Sequence, residues 1–529
     1  MRHQPSTALI HAFLPIVKTW LPVALLLLSS LSIQAQDDYG CEELSSKKAQ
    51  KKFKEALELP RGKARESYDL LLEVTELEPE FAEAWYILAE TNRQKAETAH
   101  PQAVATYRKR AFNYYSKVVE TCPAFDDYYS YFYLATYYEA DADQAKAASF
   151  YRRYLEAEPR NSNLKAAART QLEKIQAYLD LFENPVPFNP EPVRGISRQT
   201  DEYLPLLSAD GDFLFYTARF QTLDKYTTIQ KQVEEFTMSQ RLDSESDVNF
   251  SKGTKMPFPF NQGHTQGAGS LTIDNNEIFI TICEFVQAYG QPYNNCDIYS
   301  SRFENGEWTE FKNLGPNVNG ENSWESQPSI SADGKTLYFA SIRETNLGAS
   351  EGIYTSDLYK STRNANGSWS KAINLGPAIN TQGNEKSPFM HSDSKTLYFS
   401  SDGRIGVGGY DIYLAKQIGN NEWSEPKNIG YPINTEEDDL GLIVSRDGKK
   451  AYFSSNKLNG NGGWDIYSFD LHPEAQPDKV LFVKGQLTDE AGEAINDADL
   501  IIQSANGERQ VSGMVDKMTG KYAVAIAYE

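Results

Sequence analysis

The chain has 529 residues, with 73 acidic against 52 basic side chains, a formal charge of −21 and 40 % apolar residues. It is long enough for several buried cores, and its acidic balance makes nucleic acid and anionic membrane poor partners. Four cysteines and six histidines exclude a disulfide framework as the source of stability and leave little material for His-based catalysis or metal ligation.

Residues 1–35 read as a secretory signal peptide. Arg2 and Lys18 precede an apolar run over residues 20–33, and Ala35 before Gln36-Asp37-Asp38 offers a small-residue cleavage site. The run is short for a bilayer span; an uncleaved anchor is the alternative. Cys41 invites a lipoprotein reading, but Asp38-Tyr39-Gly40 lacks the apolar residue that a lipobox has three places upstream. Loss of Arg2 and Lys18 with the leader, which holds no acidic residue, would take the charge from −21 to −23.

Residues 45–182 follow a helical period rich in Ala, Glu, Lys, Leu and Tyr. Three prolines stand at matched offsets, Ser67 to Pro79, Ala111 to Pro123 and Ala147 to Pro159, with Leu71, Tyr115 and Tyr151 between them. Trp85 with Leu88-Ala89, then Tyr131 with Leu134-Ala135, follow the first two prolines. Small residues at these places let paired helices approach closely. The pattern resembles the tetratricopeptide repeat (TPR), a helix-turn-helix unit of about 34 residues that buries its face by stacking into a solenoid. Unequal spacing of the prolines predicts an insertion near residues 97–102. An ordinary helical bundle is the alternative. Residues 183–192, rich in Pro and Asn, read as a linker.

From residue 193 to about 475 one motif recurs. Its best copies are Ser331-Ala-Asp-Gly-Lys-Thr-Leu-Tyr-Phe339, Ser392-Asp-Ser-Lys-Thr-Leu-Tyr-Phe399 and Ser445-Arg-Asp-Gly-Lys-Lys-Ala-Tyr-Phe453, each a tight turn before an alternating strand. The Asp-Gly pairs suit a two-residue hairpin. An Asp-(Ile/Leu)-Tyr follows each, beginning at Asp357, Asp411 and Asp465, with an earlier copy at Asp297. Trp308, Trp369 and Trp423 come next, each followed by Asn-(Leu/Ile)-Gly. Four strand signals per repeat define a β-propeller. Five blades follow if the strand near Glu191 completes the last repeat, which has no Trp of its own; six follow if residues 222–261 hide another hairpin.

The four repeat aspartates could line a rim and take calcium, helped by Asn459 and Asn461. Repetition in every blade favours a structural task, the acceptance of backbone N–H groups from the preceding Gly-rich loop. The three tryptophans are read as blade-to-blade packing, with sugar stacking as the alternative. Cys283 and Cys296 bracket one hairpin and are expected to pair; Cys41 and Cys122 are the leftover two, a second candidate pair with buried, reduced thiols as the alternative. No catalytic set, cofactor site or metal site is assigned. Gly348-Ala-Ser350-Glu-Gly352 matches a nucleophile elbow but opens no helix, so a hydrolase lacks its catalytic half.

Residues 480–529 alternate again, with Gly-rich turns, and predict a partial β-sandwich. Gly485-Gln-Leu-Thr-Asp489 and Thr519-Gly-Lys-Tyr522 resemble the carboxypeptidase-regulatory-like domain. The order leader, TPR, TolB-like (WD40-like) propeller repeats and this last domain resembles the periplasmic OmpA-family proteins of Gram-negative envelopes, type IX secretion components among them. That resemblance implies a non-enzymatic, outer-membrane-associated periplasmic scaffold. Its TPR and propeller surfaces would dock envelope proteins and help tether an assembly to the cell wall. Peptidoglycan would be a partner only if an OmpA-like domain follows Glu529. A glycan- or peptide-binding module of an uptake system is the alternative, and a hydrolase a third reading.

Overall fold

The structure, a computed structural model, describes residues 40–223, 230–243, 246–262, 265–288, 291–458, 460–495, 498, 500–503, 510–515 and 520–527. The signal-peptide reading, His264 and Asn459 lie outside them. The chain divides into two compact units, residues 1–183 and 184–529.

The first unit holds, among the described residues, seven α-helices: α1 (Lys47–Glu58), α2 (Ala64–Leu77), α3 (Ala82–Thr98), α4 (Pro101–Thr121), α5 (Tyr129–Ala140), α6 (Gln144–Glu156) and α7 (Ser162–Glu183). Each packs on its neighbours in the chain. The Ser46 and Asp143 side chains cap α1 and α6 by accepting N–H groups of their first turns, and Pro101 opens α4, where its missing N–H removes no bond. Alanines at the crossings (Ala84, Ala89, Ala111, Ala135, Ala147) are fully buried beside Leu88, Tyr115, Leu134 and Tyr151. Near residues 97–102, where an insertion was expected, Ala99 and His100 join α3 to α4; these two helices, at 17 and 21 residues, are longer than the 12 and 13 of α5 and α6. Cys41 is bonded to Cys122 at the end of α4, with Cα atoms 5.6 Å apart.

The second unit carries five propeller blades, each with four strand positions counted outward from the axis. Blade I is Asp201–Leu207, Phe213–Leu223, Gln230–Gln240 and Thr254–Lys255; blade II starts at Thr265, blade III at Trp324, blade IV at Glu385 and blade V at Ile443. Within residues 222–261 the described strands Gln230–Gln240 and Thr254–Lys255 therefore belong to blade I and not to a sixth blade. Blade V is closed from the other end of the propeller: Glu191 and Pro192 pair with Ser468 and Tyr467. This joins the first strand to the last and covers an otherwise open sheet edge.

The turn after each inner strand differs from the two-residue hairpin expected. In blade III Ser331 N–H donates to the Thr336 carbonyl and Gly334 N–H to the Ser331 carbonyl, which encloses four residues. Side chains tie the loop: Ser331 Oγ accepts from Thr336 N–H (2.9 Å) and donates to Asp333 Oδ1 (2.5 Å), which accepts from Lys335 N–H (3.0 Å). Gly334 takes φ 67°, the left-handed region that glycine tolerates. In blade IV the residue in the place of Ser331 is His391, not Ser392, and Ser394 takes the left-handed position with φ 55°.

Residues 480–527 form one antiparallel sheet of four strands, in the order Val480–Gln486, Lys521–Ala527, Gln510–Val515 and Leu500–Gln503. A second layer, which a sandwich requires, is absent among the described residues. The two parts of this unit touch where the Arg446 guanidinium lies 4.5 Å from the Phe482 ring.

Candidate functional site

The propeller's repeated polar residues are the sequence's candidates, and the structure places each one. Asp357, Asp411 and Asp465 stand at the start of third strands and are no more than 1 % exposed. Asp357 Oδ2 accepts Leu347 N–H (3.1 Å) and Asn374 Nδ2 (2.7 Å). Asp411 accepts Val407 N–H (3.0 Å) and Gly408 N–H (3.1 Å), and Asp465 accepts Gly462 N–H (2.9 Å). Asp297 differs: it is half-buried and takes two side-chain amides, Asn295 (3.0 Å) and Asn313 (2.8 Å), because its hairpin continues past it without a Gly-rich loop. Burial pushes the Asp357 and Asp411 carboxyls above the usual range. Among the described residues no group of three or more His, Cys, Asp or Glu could hold a metal ion. Asn461, a suggested calcium ligand, donates instead to the Ser197 carbonyl (3.3 Å).

The tryptophans bridge blades. Trp369 of blade III meets Phe279 of blade II edge-on, ring centres 5.7 Å apart, and Trp423 of blade IV meets Tyr338 of blade III at 6.3 Å. Both are about 5 % exposed, Trp369 at 5 % and Trp423 at 6 %. Trp308 is half-buried against Phe260 and Phe303. Blade V, which has no such Trp, fills the place with the chain that leaves it. Leu471 and Ala475 pack beside Tyr398 of blade IV, whose hydroxyl donates to the Ala475 carbonyl (2.6 Å). Asp478 N–H then donates to the buried Asp393 carboxylate (2.9 Å); burial alone would raise this carboxyl, but the bonds it accepts, among them Thr396 N–H (2.8 Å) and the Thr396 hydroxyl (2.7 Å), hold it well below the usual range.

Cys283 is bonded to Cys296 directly across the hairpin of blade II, Cα atoms 4.0 Å apart. Strands here run on to Ala288 and Gln291, whereas the matching strands of blade III stop at Ile342 and Ser356. Blade I is extended in the same way, to Leu223 and Gln230. The five blades thus share one frame but end differently on the face where second and third strands connect.

Two repeated groups escaped the sequence reading. The first is a crossover asparagine. Asn319 accepts Ile298 N–H (2.9 Å) and donates to Ile298 O (2.9 Å) and Asn313 Oδ1 (2.8 Å); Asn380 and Asn434 repeat the pattern on Leu358 and Ile412. An amide side chain here acts as one more backbone rung. The second is an acceptor at the head of each inner strand: Glu202, Gln266, Glu325, Glu385 and Asp439. Each takes a backbone N–H from the preceding crossover, from Arg198, Asn261, Gly320, Thr381 and Thr435 respectively. Glu325 also receives Ser323, Ser341 and Arg343. An acid or amide five or six residues beyond a crossover Asn is the signal that would have found four of them; Glu202 has Ile196 and Ser197 in those places.

Burial pushes the Glu202 and Asp439 carboxyls up to about 7. A carboxyl raised in the folded state contributes stability that is present below its ordinary range and lost as pH rises through the folded value. The chain is therefore expected to melt at falling temperature between about pH 4 and pH 7. Glu202→Gln should flatten that fall, since blade II already carries Gln266 in the same place. Melting curves of both proteins across this range check it, and parallel slopes would remove Glu202 as a source.

No family model and no curated protein matches this sequence. Solved structures that share its outline include a putative TolB from Agrobacterium tumefaciens, at 14 % identity and TM-score 0.30, over 64 % of this chain and 97 % of that one. A putative glycosidase from Bacteroides thetaiotaomicron shows 10 % identity and TM-score 0.29, over 52 % and 88 %. A family 117 glycoside hydrolase of Zobellia galactanivorans shows 12 % and 0.34, over 54 % and 89 %. At such identities and TM-scores none bears on activity. The chain's own topology defines its class, a five-bladed β-propeller protein with a helical unit before it.

Proposed function

We propose that the chain is a non-enzymatic scaffold of the bacterial envelope, working in the periplasm in association with the outer membrane. The helices are read as TPR hairpins, α1 with α2, α3 with α4 and α5 with α6, and α7 as the closing helix, which together give a docking face for a protein segment. The propeller is a second, rigid face. One observation carries the reading: the repeated carboxylates and amides are engaged with the chain's own backbone and side chains, and the blades differ chiefly in the loops they present. A frame with a variable face suits recognition better than chemistry.

Two disulfides support export to an oxidising compartment, in line with the leader read at residues 1–35. Resemblance of the domain order to OmpA-family envelope proteins, PorE of the type IX secretion system among them, supports tethering of an envelope or secretion assembly to the cell wall. Peptidoglycan enters this proposal only with an OmpA-like domain beyond residue 529.

Tagged full-length protein, cross-linked in living cells and purified from envelope extract, tests the role. Envelope proteins should be enriched, each recovering the chain in the reciprocal capture. Shortening the blade I and II hairpins should reduce that capture while melting stays unchanged. Capture that is indifferent to those hairpins and to α3–α6 surface variants, with retention on a peptide or glycan array instead, would favour an uptake module.

A further inference from the structure

The chain is strongly acidic, yet one face of its helical unit is basic and aromatic. On α4, Arg108, Lys109 and Arg110 follow one another. Beside them runs an unbroken series of ring contacts across α4, α5 and α6. Phe112 lies 4.4 Å from Tyr137 and 5.5 Å from Tyr138; Tyr138 lies 5.5 Å from Phe150, and Phe150 6.2 Å from Tyr131. All five rings are half-buried, so each keeps part of its surface in solvent.

Cations lie over this ribbon. Lys109 Nζ is 4.6 Å from the Phe112 ring centre, Lys146 Nζ 5.1 Å from Tyr138 and the Arg153 guanidinium 5.3 Å from Phe150. Arg108 lies over Tyr137 at 5.9 Å. Lys146 is paired with Asp143 at 2.8 Å, and Glu139 accepts the Tyr151 hydroxyl. Arg108, Lys109 and Arg153 have no carboxylate within ion-pair distance among the described residues. In a chain with 73 acidic side chains, three neighbouring cations without one are a local reversal of charge.

We propose that this α4–α6 face binds a linear polysaccharide bearing carboxylates. Cations held against rings are partly stripped of water and placed in advance for an anion. The ring surface left in solvent between them gives apolar contact to the C–H groups of sugar rings. An acidic peptide would use the cations and leave the ribbon idle, and a neutral glycan would do the reverse. The proposal uses the same helical unit as the docking face and adds a different class of ligand; envelope-protein capture and polygalacturonate titration report on the two separately.

Polygalacturonate oligomers are the probe, titrated against the full chain by calorimetry beside neutral dextran and a poly-glutamate peptide. Polygalacturonate should bind, weaken with added salt, and lose about tenfold or more in affinity with Lys109→Glu and Arg153→Glu together. Both side chains are exposed, so the fold should persist, and matching circular dichroism and melting would show it; Arg108→Glu serves as the second variant should the pair disturb packing. Absence of polygalacturonate binding overturns the proposal, as does binding that ignores both variants. Poly-glutamate binding as tight as polygalacturonate also overturns it, and would assign the face to acidic protein segments.

Discussion

Trp369→Ala is expected to lower the unfolding free energy of the propeller by ~3–5 kcal/mol, the loss typical of a large aromatic side chain removed from a core. The ring is 5 % exposed and sits in a cluster with Phe279, Ile298, Val318, Leu337 and Tyr359, drawn from blades II and III. Its removal opens a cavity at a seam, and neither sheet can move to fill it without breaking its own ladder. Arg363 loses a partner as well: its guanidinium lies 4.8 Å from the indole while one nitrogen reaches Glu277 of blade II at 2.8 Å. Trp308→Ala, at a half-buried ring, should cost less. Denaturant titration followed by circular dichroism checks both. An unchanged midpoint at Trp369 with loss of a bound glycan would make that ring a recognition surface and not a seam.

The propeller was legible because a repeat states its pattern several times, so weak copies are carried by strong ones. A strand near Glu191 was expected to complete the last repeat, and the pairing of Glu191 with Ser468 places it there, with Glu191 and Pro192 in the positions that Lys427 and Asn428 take in blade IV. What escaped were interactions whose partners lie on different strands. The Asn319 bonds to Ile298 span 21 residues, and the Gly320 N–H bond to Glu325 caps a crossover that has no regular period. Single-position alignment failed in blade IV because His391 replaces a Ser; its Nδ1 faces the Asp393 N–H at 3.2 Å, and its Nε2 reaches the Ser445 carbonyl of blade V at 3.1 Å. Segment 471–478 could not be read as a replacement for a Trp, since Leu471 and Ala475 meet Tyr398 only once the chain has folded. In the helices, whether extra residues between α3 and α4 form loop or helix depends on packing that no local signal states. The basic ribbon over α4–α6 was likewise invisible, because its rings come from three helices and meet only after folding.

The second large effect is expected at Cys41 and Cys122. Replacing both with serine should destabilise the helical unit by up to ~4–5 kcal/mol, from the loop-closure entropy of a cross-link between distant residues. The bonded residues are 81 apart, and the closed loop contains α1, α2, α3 and α4. Freed of the bond, the unfolded chain gains the conformations that the cross-link denied it, while the folded unit loses only a contact beside Ala82, Val118 and Phe125. The Cys283–Cys296 bond closes a much shorter loop, 13 residues apart, between strands already in register. The same relation gives it about 3 kcal/mol, so the paired substitutions should differ by roughly 1.5 kcal/mol. Each double variant should be unfolded in denaturant beside the parent, with the helical signal followed separately from the aromatic signal of the propeller, because the two units need not melt together. Loss at Cys41 and Cys122 should appear in the helical transition and leave the propeller midpoint in place. Equal effects from the two pairs would mean that loop entropy does not govern them and that local packing at Cys122 does.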